Sequence, residues 1–330
     1  MRYFYLVFFI TATLFFSACA SKEVFEPENV NDDWEYTGSS DFTVEDIAPN
    51  AALVDENKVF VDGEVVDVSI GEDEQLLGYS DGWIISTNID GNLTLRGVDN
   101  TKIENFNLKR TIATASVKDD TLAVLFANNK MALYSISTKD TLVKEQGDAP
   151  VVINSKVVAP YFKDSLVIFS TLDGKVVLID KNKRKKLRTV IVSSEDNFNN
   201  IIYFNFVDNK IIASTPHKIL SLAKKELRVK YDIRNVIDDG KNIYLTTKQG
   251  EIVSLTPDLQ LNKKVKFPFA HFLGIIIGVN NIYVLEKEGY IIELSKDLLE
   301  YKIYEADVED GYIFIDDKVF YIDDEYILVE

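Results

Sequence analysis

Cysteine occurs once in the 330 residues, at Cys19, so no disulfide can form within the chain. Histidine occurs twice, at His217 and His271, with no His-x-x-x-His spacing. A zinc site or a histidine-based triad needs a denser set of donors, and both histidines read as ordinary turn or strand-start residues. Gly-x-Gly-x-x-Gly and Walker patterns are missing, which removes the loops that usually cradle nucleotide phosphates. Positive charge is scarce: 36 Lys and Arg face 53 Asp and Glu, a formal −17, which argues against a nucleic-acid partner. Runs of acid such as Asp238-Asp239, Asp316-Asp317 and Asp323-Asp324-Glu325 fall at turns, where Asp accepts local backbone hydrogen bonds. They lack the spacing of an EF-hand calcium loop. No catalytic residue, cofactor site or metal site is assigned, and the chain reads as non-enzymatic.

Long apolar runs are also missing, apart from residues 3–16. That run follows Met1-Arg2 and is shorter than the about 20 residues a bilayer span needs, so residues 1–18 read as a signal peptide. Phe16-Ser17-Ala18-Cys19 resembles a bacterial lipobox, which implies acylation of Cys19, palmitate included, and anchoring in the membrane through those chains. Ordinary cleavage at Ala18-Cys19-Ala20 also fits the small-x-small rule. Ala20 and Ser21 follow the cysteine with no Asp directly after it, which by resemblance to Gram-negative sorting implies the outer membrane, facing the periplasm. Residues 19–56 are polar and acidic and read as a lipidated N-terminus and linker. Trp34 and Tyr36 interrupt that linker and are expected to dock on the folded body.

Residues 57–330 carry the fold. The stretch 165–187, SLVIFSTLDGKVVLIDKNKRKKL, sets two runs of β-formers around Leu172-Asp173-Gly174, a tight antiparallel hairpin. The hairpin returns at residues 81–97, 120–136, 209–223, 241–256, 280–295 and 317–330. Its spacing averages about 39 residues, close to the ~40–45 of a four-stranded propeller blade. No segment keeps helical periodicity. The expectation is an all-β propeller of four-stranded blades, seven favoured and eight if residues 57–69 make more strands. The innermost strands, read at 156–161, 200–204 and 272–277, are the most apolar and are expected to be buried on both faces. The last unit is one strand short at Glu330, so an N-terminal strand, from 59–61 or 64–69, should close the ring.

The blades resemble quinoprotein-type propellers, on Thr171-Leu172-Asp173-Gly174-Lys175 through Asp180 and on Asp90-Gly91-Asn92-Leu93. Only Trp34 and Trp83 are present, neither at the blade-end position where that group docks its tryptophans, so no quinone is expected. A lipidated propeller of this size without a cofactor resembles the BamB family, lipoproteins of the outer-membrane β-barrel assembly machinery. The resemblance implies a monomeric subunit of a complex, whose partner is the barrel-assembly subunit or another envelope protein. It implies contact through the loops between the last strand of one blade and the first of the next. Here those loops are 147–154, with Val151, Val152 and Ile153, and 193–199, with Glu195, Asp196 and Phe198. Val151 to Ile153 read equally well as the start of the next inner strand. A propeller enzyme or sugar-binding module using the central funnel is the alternative. The basic run 181–188 reads as a solvated hairpin tip, or as a contact for anionic lipid headgroups or an acidic partner.

Overall fold

The computed structural model describes residues 23–195, 197–306 and 311–330. Eight four-stranded antiparallel sheets follow one another along the chain. The first strands of adjacent sheets adjoin one another, while the fourth strands face solvent, so each sheet is a blade with strands A to D from axis to rim. The result is an eight-bladed propeller, not the favoured seven. The extra blade comes from Val44–Ala48 and Ala51–Val54, which precede Lys58–Val61 and Glu64–Ser69 in one meander. Short and partly acidic, these strands hide in a stretch whose composition resembles a linker, so the body begins well before residue 57.

Burial explains the strand sequences. Strand B of blade 3, Thr121–Phe126, is buried at all six positions, and its partner Lys130–Ser135 at five. Both lie between neighbouring blades, so both faces are covered and polar alternation disappears. The A strands differ among themselves: Phe272–Ile277 stands at the expected bounds with four of six residues buried, whereas Tyr161–Lys163 has no buried residue and Tyr203–Val207 has two. The most apolar layer is therefore B and C. The D strands are charged and exposed, as in Glu226–Lys230 and Leu261–Lys266, which discourages pairing at the rim. Turns are closed from within, where Thr171 Oγ1 donates to the Lys175 carbonyl (2.8 Å) across the Asp173-Gly174 corner.

Eight apolar clusters occur among the described residues, one at each junction between adjacent blades. The junction of blades 8 and 1 joins Phe314 to Val44, Ala52, Val54 and Phe60. Blade 8 takes its A to C strands from the C-terminus, Ile313–Asp316, Val319–Ile322 and Glu325–Leu328. Its D strand is Thr37–Ser39, paired with residues 325–327. An N-terminal strand thus closes the ring, but from upstream of the two segments expected to do so.

Trp34 reinforces the adjoining junction, between blades 7 and 8. Its Nε1 donates to the Leu328 carbonyl (2.9 Å), and its ring meets Tyr283 and Tyr304 edge-on at 5.8 and 5.0 Å between centroids. Asn31 N donates to the Ile303 carbonyl (2.8 Å), so the preceding segment runs along the outer strand of blade 7. Trp34→Ala removes a partly buried indole and a hydrogen bond at the seam. It is expected to lower stability by about 2–3 kcal/mol, whereas Trp34→Phe, which keeps most of the ring contact, costs about 1 kcal/mol. Urea titration followed by circular dichroism measures both, and the loss should appear as a shift of the whole transition.

Candidate partner-binding site

The D-to-A loops after blades 3 and 4 meet at one end of the propeller. The first follows Thr141–Gln146 and runs to Tyr161, where strand A of blade 4 begins. Val151, Val152 and Ile153 therefore lie in a loop, eight or more positions before the strand they were equally expected to start. They are 82, 43 and 40% exposed, so three adjacent aliphatic side chains face solvent. The second loop follows Lys185–Ile191 and brings Phe198, 43% exposed, beside them. Phe198 N donates to the Val152 carbonyl (3.0 Å), joining the two backbones. Between them lies a cleft of about 250 Å³, lined by Pro150, Val152, Leu172, Ile191 and Phe198, among others.

Two buried asparagines hold this geometry. Asn129, in the B–C turn of blade 3, donates to the Asp148 carbonyl (2.8 Å) and to Asp173 Oδ1 (2.7 Å), and accepts from Leu172 N (3.0 Å). Asn200 accepts from Asn154 N (2.6 Å) and donates to the carbonyls of Asn154 (3.2 Å) and Lys156 (2.7 Å). Both are fully buried, so these bonds form away from competing water. Underneath, Gly174 sits at φ +81°, and a Cβ there would stand 2.5 Å from the Ser193 carbonyl. Only a glycine lets the second loop pack this closely over the turn.

Charges frame the apolar patch. Lys175 Nζ lies 2.5 Å from both Asp148 and Asp173, and Lys218 pairs with Glu195 at 2.8 Å. The Lys218 hydrogen bond and charge hold the Glu195 carboxyl below its ordinary range. His217 Nε2 donates to the Asn197 carbonyl (3.0 Å), a structural task in a turn, and His271 immediately precedes strand Phe272–Ile277. The loops thus gather Val151, Val152, Ile153, Phe198 and Glu195 in one place. Asp196 and Cys19 lie outside the described residues.

The basic run is largely engaged. Lys181, Lys183, Lys186 and Arg188 reach Asp119, Asp180, Glu145 and Glu226 at 3.6, 3.4, 2.7 and 2.6 Å. Three of those acids belong to neighbouring blades, so the run ties blades together at the rim. Among the described residues, no group of three or more His, Cys, Asp or Glu is placed to hold a metal ion.

The fold defines an eight-bladed β-propeller with an apolar patch on this face built by two loops. No family model matches the chain. In sequence it is similar to the plasminogen-binding protein PgbB of Helicobacter pylori, at 35% identity. In strain J99 the match covers 170 residues, 51% of this chain and 31% of that protein, and in strain 26695 it covers 158 residues, 47% and 29%. The chain thus spans less than a third of the length of these curated relatives. In structure it is similar to BamB from Moraxella catarrhalis, with TM-score 0.69 and 11% identity over 89% of this chain and 98% of that one. The computationally designed Ika8 protein gives 0.63 and 13% over 90% and 99%. Sqt1 from Saccharomyces cerevisiae gives 0.61 and 8% over 91% and 99%. At such identities the likeness is one of fold, a BamB-like propeller.

Asn129 and Asn200 carry no motif and were not singled out from the sequence; the one local hint is the Asn199-Asn200 pair. Asn200→Ala leaves three backbone groups without partners. It is expected to cost about 2–4 kcal/mol and to raise amide exchange at Asn154 and its neighbours well above that of the blade strands. Hydrogen exchange read by mass spectrometry checks both.

Proposed function

We propose that this chain is a non-enzymatic scaffold of the bacterial envelope, anchored at the outer membrane through lipid on Cys19 and facing the periplasm. Its partner is a protein of outer-membrane β-barrel assembly. The observation that carries the reading is the pair of loops at residues 147–160 and 192–202. They present Val151, Val152, Ile153 and Phe198 together above a cleft, pinned by asparagines that give the patch a defined shape. Exposed aliphatic and aromatic groups on a fixed support are what a protein interface uses for its central anchors. The flanking Lys175–Asp148 and Lys218–Glu195 pairs supply the polar rim. The likeness to BamB supports the same assignment at the level of fold, and fold alone does not transmit function.

A second reading is capture of plasminogen, supported by the 35% identity to PgbB across half of this chain. One experiment separates the two. The tagged chain is recovered from detergent-solubilised envelope, alongside a form carrying Val151→Asp and Phe198→Asp. The expected result is that the wild type brings down the barrel-assembly subunit and the double variant retains less than a tenth of it, with unchanged circular dichroism. Recovery of that subunit in equal amount by both forms would sink the loop assignment. Saturable binding of purified plasminogen with no envelope partner recovered would favour the second reading.

A further inference from the structure

At the same end of the propeller, the mouth of the central channel holds a different cluster. Arg234 is the extra residue of a β-bulge in strand Ile233–Asp238, the inner strand of blade 6, where the register shifts between Ile233 and Asn235. A bulge re-aims the side chain it carries. The guanidinium Nη1 lies 2.8 Å from His271 Nε2 at the start of blade 7. An arginine can only donate, so the imidazole accepts there. The Arg234 Nε is buried and has no partner among the described residues. A buried donor left open in this way calls for an acceptor.

Lys156 approaches the same point from the other side. Its carbonyl is fixed by Asn200, and its side chain reaches past blade 5 to blade 6. There the ammonium donates to the Arg234 carbonyl (3.2 Å) and to Asn235 Oδ1. Lys156 as a residue is exposed to solvent, with its ammonium resting against blade 6. Partial desolvation there, with the Arg234 charge beside it, lowers its pKa to about 8. No ion pair involves Lys156 or Arg234 among the described residues, although acids outnumber bases 53 to 36 in this chain. Two cations held together without a counter-charge, in a protein with acid to spare, cost energy that a bound anion would return.

We propose that the channel mouth between blades 4, 6 and 7 is a binding site for a single oxyanionic group, a carboxylate or a phosphate, held by Lys156 and Arg234. Asn200 positions the lysine, and His271 orients the guanidinium so that its remaining donors face the ion. The bidentate edge of arginine suits either oxyanion, while the mobile ammonium closes over it. The site shares a loop and the Asn200 support with the apolar patch, but Val151 and Phe198 take no part in it.

The test uses the full chain in detergent, with inorganic phosphate and acetate as probes and chloride at equal ionic strength as control. Two readouts are followed: the thermal midpoint, and the rate at which an amine reagent labels Lys156 at pH 8, resolved by peptide mass spectrometry. A depressed pKa makes Lys156 react faster than other lysines at this pH, and a bound anion holds it protonated. Phosphate or acetate is expected to raise the midpoint and slow labelling of Lys156 at least threefold, and the stronger probe identifies the group. Lys156→Met and Arg234→Leu should each weaken the midpoint effect at least tenfold in concentration, while Leu299→Ser, at an exposed position in the C–D turn of blade 7, leaves it intact. Equal behaviour of both probes and chloride in the labelling assay, which needs no variant, overturns the proposal. So does an undiminished anion effect in the folded double variant.

Discussion

A ring of blades has no ends only if its two chain termini meet, and here they meet through three residue pairs. Thr37, Gly38 and Ser39 lie against Ile327, Tyr326 and Glu325, and everything else relies on that short ladder. Each of the eight interblade clusters needs a neighbour on both sides. Without the outer strand, blade 8 would be a three-stranded sheet with an open edge. Backbone bonds extend the ladder on either side, from Leu328 N to the Tyr36 carbonyl (2.9 Å) and from Ser40 N to the Asp324 carbonyl (2.7 Å). Side chains add to them: Trp34 bridges Leu328, Tyr283 and Tyr304, and Phe314 packs into blade 1.

Much of this was legible in the residues. The recurring hairpin pointed to four-stranded blades because B and C, the buried strands, carry the strongest β pattern, as in Thr121–Phe126. The count was harder to read, since blade 1 opens with Val-Glu-Asp-Ile-Ala, where acids outside the core dilute the apolar positions. The inner strand Phe272–Ile277 stood where it was read, while the other two were misplaced for a related reason. Residues such as 200–204 are apolar, yet the ordered strand is Tyr203–Val207, and its channel face needs no apolar cover. The closing strand, Thr-Gly-Ser, has almost no β signature, and its pairing is dictated from the far end of the chain.

The loop patch was partly legible. Val151 to Ile153 are chemically indistinguishable from the start of a strand, and only the position of Tyr161 shows that the ladder has not begun. The supports were invisible, because Asn129 and Asn200 act through backbone groups dozens of residues away. Lys156 and Arg234 were equally hidden. Their meeting depends on a bulge and on curvature around the axis, neither of which leaves a mark in local composition.

Closure by Thr37–Ser39 also sets a timetable. Thr37–Ser39 has no place to bind until residues 325–327 have been made, so the circle stays open while the intervening blades are synthesised. Contacts of such long sequence separation slow folding. The intervening blades can pack pair by pair in the order they are made, but the circle between blades 7, 8 and 1 is joined only when these two distant segments meet.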